Sequence, residues 1–273
     1  MNDCEFLESL FSLDGKTALV TGGGSGLGLI ATTALARAGA HVVICSRKLA
    51  ACKAAADEIN ETLGRQAITA FEGDVADEAG VMAIAEALRT VTPKLDILVN
   101  NAGTTWGAPF EDFPWRGWER VMSVNVYGSF TLTRELMPLL KASGSPADPA
   151  RVVNIGSVMG TVPFADDAVS YTTSKAAVHH MTQILARKFV RENVNVNAIA
   201  PGLFATRMTA FATAGDPVSG HASVPMSRLG SADDLAATLL LLCGHGGAYL
   251  SGTIIAVDGG MAVDPPHRMY ESD

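Results

Sequence analysis

Seven short runs rich in β-branched and aliphatic residues punctuate this chain, and longer stretches with helical periodicity separate them. The runs are Thr17–Thr21, His41–Cys45, Ala67–Phe71, Leu95–Asn100, Arg151–Ile155, Asn195–Ile199 and Thr253–Val257. Nearly unbroken apolar character over so few residues fits strands buried on both faces, as in a parallel sheet between helical layers. Helical patterns fall near residues 27–38, 49–63, 77–90, 115–141, 170–192 and 231–243. The alternation predicts an α/β fold: one doubly wound domain over residues 1–273, with a seven-stranded parallel sheet and helices on both faces. Ligands of such sheets bind beyond the carboxyl ends of the strands, so candidate chemistry is sought at strand tips. The segment 142–149 reads as a surface loop. Residues 202–230 form a long irregular stretch after a strand, suited to a lid over a ligand, and about 264–273 form a polar tail.

Composition narrows the function classes. The chain has 273 residues, 48% hydrophobic and 18% charged, enough for a substantial core. No apolar run reaches the roughly 18 residues of a membrane span. The acidic start, Met1–Glu5, argues against a secretory or mitochondrial leader. Cys4, Cys45, Cys52 and Cys243 lack metal-ligand spacing and read as free thiols of a reducing compartment. A net charge of −8 disfavours a nucleic-acid surface. A soluble cytoplasmic protein with no membrane or nucleic-acid partner is expected.

The segment Thr21-Gly22-Gly23-Gly24-Ser25-Gly26-Leu27-Gly28 follows the first strand and opens a helix. Glycines permit a tight turn and close backbone approach, and the helix N-terminus offers partial positive charge to a pyrophosphate. The spacing is one residue longer than the usual dinucleotide fingerprint. At the second strand's tip, Cys45-Ser46-Arg47-Lys48 carries no acid to hold a ribose 2′-hydroxyl. Arg47 can instead make a forked contact with a 2′-phosphate, and Ser46 can add a hydroxyl donor. This predicts NADP(H); the alternative is that Arg47 merely starts a solvated helix. At the third tip, Gly73-Asp74-Val75, the Asp74 carboxylate suits either an adenine amino group or a helix N-cap.

Tyr171 and Lys175 are four residues apart. On a helix that separation rises about 6 Å, which puts the phenol and the ammonium on one face. A unit charge roughly 5 Å from the phenol, at an effective dielectric near 20, favours phenolate by about 3 kcal/mol. The expectation is a tyrosine whose pKa falls toward neutrality and which exchanges a proton with substrate.

With the glycine loop, Asn100-Asn101-Ala102-Gly103, Asn125, Ser157 and Tyr171-x-x-x-Lys175, the chain resembles the short-chain dehydrogenase/reductase family. Pro201-Gly202 with Thr206, and Asp258-Gly259-Gly260, match later landmarks, so the likeness runs from about residue 12 to 262. Residues 95–111 and 151–160 look most like 3-oxoacyl-[acyl-carrier-protein] reductases. The resemblance implies a Rossmann-type fold and NADP(H). It implies that Tyr171 protonates a carbonyl oxygen as hydride arrives, that Lys175 tunes Tyr171 and holds the nicotinamide ribose, and that Ser157 hydrogen-bonds the substrate oxygen. Asn125 would position a water that links Lys175 to solvent. Asn101, Ala102 and Gly103 would line the adenosine side, and Thr206 would lie near the nicotinamide amide or the phosphates. The implied activity is NADPH-dependent reduction of a ketone such as a 3-oxoacyl thioester. The implied partners are an acyl thioester or other small substrate, an acyl carrier protein, and copies of the chain in a homodimer or homotetramer through 115–141 and 170–192.

Two departures qualify the likeness. Ser157 precedes Tyr171 by fourteen residues, one more than the common family pattern, so Gly160–Asp167 is expected to bulge near the substrate entrance. Ser25 stands where many NADP-dependent members carry a basic residue. Ser170 and Ser174 should turn away from the Tyr171 face, and His179 and His180 read as surface or interface residues rather than metal ligands. Trp106, Trp115 and Trp118 suit either an acyl pocket or packing. Arg116 and Arg120 suit a solvated helix face or a carrier protein. The competing functions are oxidation of a sugar, steroid or other secondary alcohol, and a catalytically silent nucleotide sensor.

Overall fold

The computed structural model describes residues 3–163, 166–206 and 224–264. Its elements are α1 (Asp3–Phe11), β1 (Thr17–Thr21), α2 (Gly26–Arg37), β2 (His41–Ser46), α3 (Leu49–Leu63), β3 (Ile68–Glu72), α4 (Glu78–Val91) and β4 (Ile97–Asn100). There follow α5 (Trp115–Met122), α6 (Ser129–Ser143), β5 (Ala150–Ile155), α7 (Val169–Phe189), β6 (Val194–Pro201), α8 (Ala232–Cys243) and β7 (Ile254–Val257). The seven strands form one sheet in the order β3-β2-β1-β4-β5-β6-β7. All six pairings are parallel, as the apolar runs predict. The winding reverses between β1 and β4, and at such a switch point the carboxyl ends of neighbouring strands splay into a crevice.

Side chains alternate across the sheet into two cores. One face sends Ala18, Val20, Val42, Ile44, Ile97 and Val99 against Leu35 of α2 and Leu235, Leu239 and Leu242 of α8. The other sends Leu19, Val43, Leu98, Val152 and Val196 against Ile84 and Leu88 of α4, Leu132 and Leu136 of α6, and Leu185 of α7. β4, β5 and β6 are buried along their whole lengths. Truncating one such leucine to alanine costs about 2–5 kcal/mol, a large part of a domain's net stability. A third, small cluster of Val158, Leu203, Val224 and Met261 lies beyond the carboxyl ends of β5 and β6.

The structure departs from the sequence expectations in two elements. α1 is an added helix that packs on α8 and on the 245–247 turn. The 115–141 stretch is not one helix: a π-helical turn, Ser123–Gly128, separates α5 from α6. Gly128 lets that turn approach the loop after β3, because a Cβ there would lie 2.2 Å from the Val75 carbonyl oxygen. Elsewhere boundaries move by a residue or two, and α8 starts with a capping box between Ser231 and Asp234.

Cys45, Cys52 and Cys243 are buried and unpaired. Burial pushes the Cys45 and Cys243 thiols up to about 12, which makes them inert. Among the described residues, no helix is long and apolar enough to cross a membrane. Of the expected lid, residues 207–223 lie outside the described residues, as do 164–165 of the bulge and 265–273 of the tail. The base of the 202–230 segment is closed by a bridge between Phe204 and Gly230.

Candidate active site

The crevice at the switch point is organised by Thr21, the last residue of β1. Its Oγ1 accepts hydrogen bonds from the Asn101 and Ala102 amides at 3.0 and 2.9 Å, and Asn101 Nδ2 donates to the Thr21 carbonyl at 2.8 Å. The chain leaving β4 is thereby pinned to the chain leaving β1. Gly22 and Gly26 sit at φ +68° and +54°, where a side chain is strained. A Cβ on Gly28 would lie 2.2 Å from the Gly22 carbonyl oxygen, so only glycine lets α2 start this close to the loop. Ser25 occupies the N-cap position of α2 without a side-chain capping bond. The Ser25 side chain therefore leaves the first amides of α2 to another acceptor, and a helix N-terminus suits an anion.

A cleft of about 680 Å³ gathers most of the expected cofactor residues: Gly22, Ser25, Gly26, Leu27, Gly28, Ser46, Arg47, Asp74, Val75, Asn101, Ala102, Gly103 and Thr206. Ser46 Oγ accepts from the Lys48 amide at 2.9 Å, a turn that exposes Arg47 and Lys48 at the β2 tip. Asp74 is not a helix cap. Its Oδ1 accepts from the Ala76 amide at 3.0 Å, while Asp77 caps α4 through a 2.8 Å bond from Gly80. Pro201 and Gly202 do not join the cleft wall. Pro201 pairs with Val257, the Gly202 amide donates to the Val257 carbonyl at 2.9 Å, and a Cβ on Gly202 would meet Asp258 at 2.7 Å, so these residues close the top of β6.

Lys48, Thr104 and Val124 line the cleft without having been expected there, and Arg116 and Arg120 were expected on a solvated helix face or at a carrier protein. Both arginines also line the cleft, and their guanidinium carbons stand 5.2 and 5.9 Å from the centre of the Trp106 ring. The adjacency of Lys48 to Arg47 was a visible signal. The arginine–indole stack had none, because Trp106 reaches α5 from the preceding loop. Trp118 tilts against Phe113, and Trp115 is largely exposed.

Of the candidate catalytic residues, Asn125 and Lys175 lie beside Gly103. Asn125, in the π-helical turn, is buried: its Oδ1 accepts from the Thr104 amide at 2.8 Å, and its Nδ2 donates to the Thr104 carbonyl at 3.0 Å and to Ser174 Oγ at 2.9 Å. The side chain is thus committed to strapping the β4 loop to α7. A Cβ on Gly103 would stand 3.5 Å from Asn125 Oδ1 and 3.7 Å from Lys175 Nζ, so the loop lies directly over both.

Lys175, also buried, donates from Nζ to the Ile155 carbonyl at 2.7 Å and lies 5.6 Å from the centre of the Tyr171 ring. Burial pulls its ammonium down to about 8. Tyr171 corrects an expectation. Helical spacing does bring the ammonium near, yet burial pushes the phenol above its usual value, and the contact with Ser157 only partly offsets that. Ser157 is buried at the carboxyl end of β5, and its Oγ accepts from the Met159 amide at 3.2 Å. Ser174 bonds Asn125 and the Tyr171 carbonyl, while the Ser170 hydroxyl is buried without a partner, so neither serine joins the reacting face. His179 corrects a second expectation. It is buried beneath the turn after Ser157, whereas His180 is exposed.

A family model described as short chain dehydrogenase matches residues 16–216. The rhamnolipids biosynthesis 3-oxoacyl-[acyl-carrier-protein] reductase of Pseudomonas aeruginosa is 46% identical over 253 residues, covering 92% of this chain and 97% of that protein. Galactitol 2-dehydrogenase (L-tagatose-forming) of Cereibacter sphaeroides is 36% identical over 264 residues, covering 93% and 98%. A solved structure of a Pseudomonas aeruginosa RhlG/NADP active-site complex superposes with a TM-score of 0.89 at 43% identity, covering 93% of this chain and 99% of that one. The glycine cradle at the switch point, the match over most of the chain and this shared architecture make one conclusion plain: the chain belongs to the short-chain dehydrogenase/reductase family and is an oxidoreductase.

Proposed function

We propose that this protein reduces the ketone of a 3-oxoacyl thioester, carried on acyl carrier protein or coenzyme A, to the 3-hydroxyacyl product with NADPH. The observation that carries the substrate class is the 46% identity, over nearly the full length of both chains, to a 3-oxoacyl-[acyl-carrier-protein] reductase. The residues fit the cofactor. The β2 tip presents Ser46, Arg47 and Lys48 with no carboxylate, and the cradle at Gly22, Gly26 and Gly28 leaves room for a pyrophosphate only because side chains are missing.

When bound, NADPH supplies the hydride. Within that scheme Ser157 holds the carbonyl oxygen and Tyr171 gives it a proton as charge develops. A phenol whose pKa is raised keeps its proton at neutral pH, the state that reduction needs. Lys175, poised near 8, is suited to take a proton from solvent and return one toward Tyr171. Asn125 keeps the loop beside Lys175 fixed through its two bonds to Thr104. Arg116 and Arg120, stacked on Trp106 at the cleft rim, offer positive charge to an anionic carrier. We further propose a single catalytic domain, a cytoplasmic location and a homodimer or homotetramer.

Oxidation of a polyol is the second reading, favoured by the 36% identity to galactitol 2-dehydrogenase. The deciding experiment is a cofactor-consumption screen that compares 3-oxoacyl carrier-protein thioesters, coenzyme A thioesters and simple ketones with NADPH, and polyols with NADP+ or NAD+. The first reading expects the largest kcat/KM on a 3-oxoacyl thioester. A polyol turned over faster than every thioester would replace it with the second.

A further inference from the structure

We propose that His179 is a positioning residue for the Ser157 hydroxyl, holding the turn that presents this donor to the substrate oxygen. The inference rests on the reading of Ser157 as the group that holds the carbonyl oxygen. Tyr171, Lys175 and His179 follow one another at intervals of four along α7, and each step turns the helix by only about 40°. One stripe therefore carries all three, and its third member ends beneath Ser157 rather than in the cleft.

The ring's two nitrogens reach two points of the same turn. Nε2 stands 3.4 Å from the Ser157 amide and Nδ1 stands 3.4 Å from Thr161 Oγ1. Both distances are long for hydrogen bonds, so neither contact alone fixes the ring. Shape does. A Cβ on Gly156 would lie 2.2 Å from Nε2, while a Cβ on Gly160 would lie 2.7 Å from the Lys175 backbone carbonyl carbon and 2.9 Å from Cε1. Neither glycine has a positive φ, so Gly156 serves to leave space for the imidazole, and Gly160 lets the turn close onto both the α7 backbone and the ring. The ring packs against two glycines that bracket the serine.

Burial, reinforced by the neighbouring Lys175 charge, holds His179 down to about 4, so the imidazole is neutral. A neutral ring has one donor and one acceptor. Since the Ser157 amide must donate, Nε2 accepts and Nδ1–H is left to donate to Thr161. Thr161 lies in the Gly160–Asp167 segment, which the Ser157–Tyr171 spacing marks as one residue longer than the common family pattern. His179 thus ties the oxygen-binding serine to the start of that segment. Displacements of about 1 Å at a reacting centre can cost on the order of a hundredfold in rate.

The test compares His179→Phe, His179→Gln, Ser157→Ala and the Ser157→Ala/His179→Phe double variant, with acetoacetyl-coenzyme A and NADPH. His179→Phe keeps volume but loses both ring functions. It is expected to lower kcat roughly ten- to a hundredfold, with NADPH Kd within about twofold of wild type. The residue that keeps an acceptor near Nε2, in His179→Gln, should recover most of that loss. In the Ser157→Ala background, His179→Phe should cost little more, because its effect runs through the missing hydroxyl. A kcat unchanged in His179→Phe, a Gln variant as slow as Phe, or fully additive losses would each overturn the proposal. Ser157→Ala keeping wild-type kcat would instead overturn the reading of Ser157. Should His179→Phe fail to fold, Thr161→Val removes the Nδ1–H acceptor with the ring intact. A severalfold loss of kcat there supports the proposal, and an unchanged kcat overturns it.

Discussion

Two cations, one exposed and one buried, illustrate what a single residue contributes. Arg47 is exposed at the β2 tip, so its value lies in contact with a ligand rather than in the fold. Replacing Arg47 with alanine should weaken NADPH binding roughly ten- to a hundredfold, the scale of a lost charge-assisted contact, and leave NADH affinity unchanged. Fluorescence titration with both nucleotides checks this, and an NADPH affinity that survives the change would defeat the 2′-phosphate argument. Lys175 is the reverse case: a buried ammonium whose pKa falls from 10.5 to about 8. Between those values the unfolded chain binds more protons than the folded one, so stability rises with pH through that window. The full effect is on the order of 3 kcal/mol, and it is absent from Lys175→Met. Urea unfolding near pH 8 and near pH 10.5 should show wild type gaining on the variant; a constant difference would contradict the burial cost.

Among the elements, the strands were the most legible. Val42–Cys45, Ile97–Asn100 and Val152–Ile155 are nearly continuous apolar runs because helices cover both of their faces. The cofactor cradle was legible too, since strand, glycine loop and helix must follow one another in sequence. What the sequence concealed depends on contacts between distant segments. Helical periodicity passes through Ser123–Gly128 unbroken, so the π-helical turn shows only once Gly128 is seated on Val75. α1 carries mostly exposed residues and gives little amphipathic signal. Spacing placed Lys175 near Tyr171 but carried no information on how far each would be withdrawn from water, and that desolvation sets the direction of the phenol's pKa. His179 was misread because the turn that crosses it comes from 18 to 22 residues earlier in the chain. For the cradle, Gly28→Ala should force the loop away from α2, lower NADPH affinity by at least tenfold and reduce thermal stability. A steric conflict of 2.2 Å with backbone cannot relax by a side-chain rotation. Unaltered NADPH affinity and melting temperature would argue against so close a packing.

Over the whole molecule, the chemistry sits at the carboxyl ends of the strands, and a charged lattice closes the opposite end. Lys16 pairs there with Asp148 and Asp96, and Arg151 pairs with Asp148. The flank formed by α6, α7 and the π-helical turn leaves Tyr127, Phe130 and Ile184 about half exposed. These exposed apolar side chains suit the subunit contact implied by the family resemblance. Sedimentation should give a mass that is a multiple of 28.4 kDa, and Phe130→Asp with Ile184→Asp should shift it to one chain. A wild-type protein sedimenting as a single chain would rule the contact out.

The Asn125 amide has a consequence for the order in which the molecule is built. It joins Thr104, 21 residues upstream, to Ser174, 49 residues downstream, while Asn101 reaches back 80 residues to Thr21. Contacts so distant along the chain close late in folding, because the loop entropy must be overcome first. On dilution from urea, helical circular dichroism should therefore return before NADPH turnover. The catalytic apparatus would be the last part of this protein to mature, although its individual motifs are the first to be read.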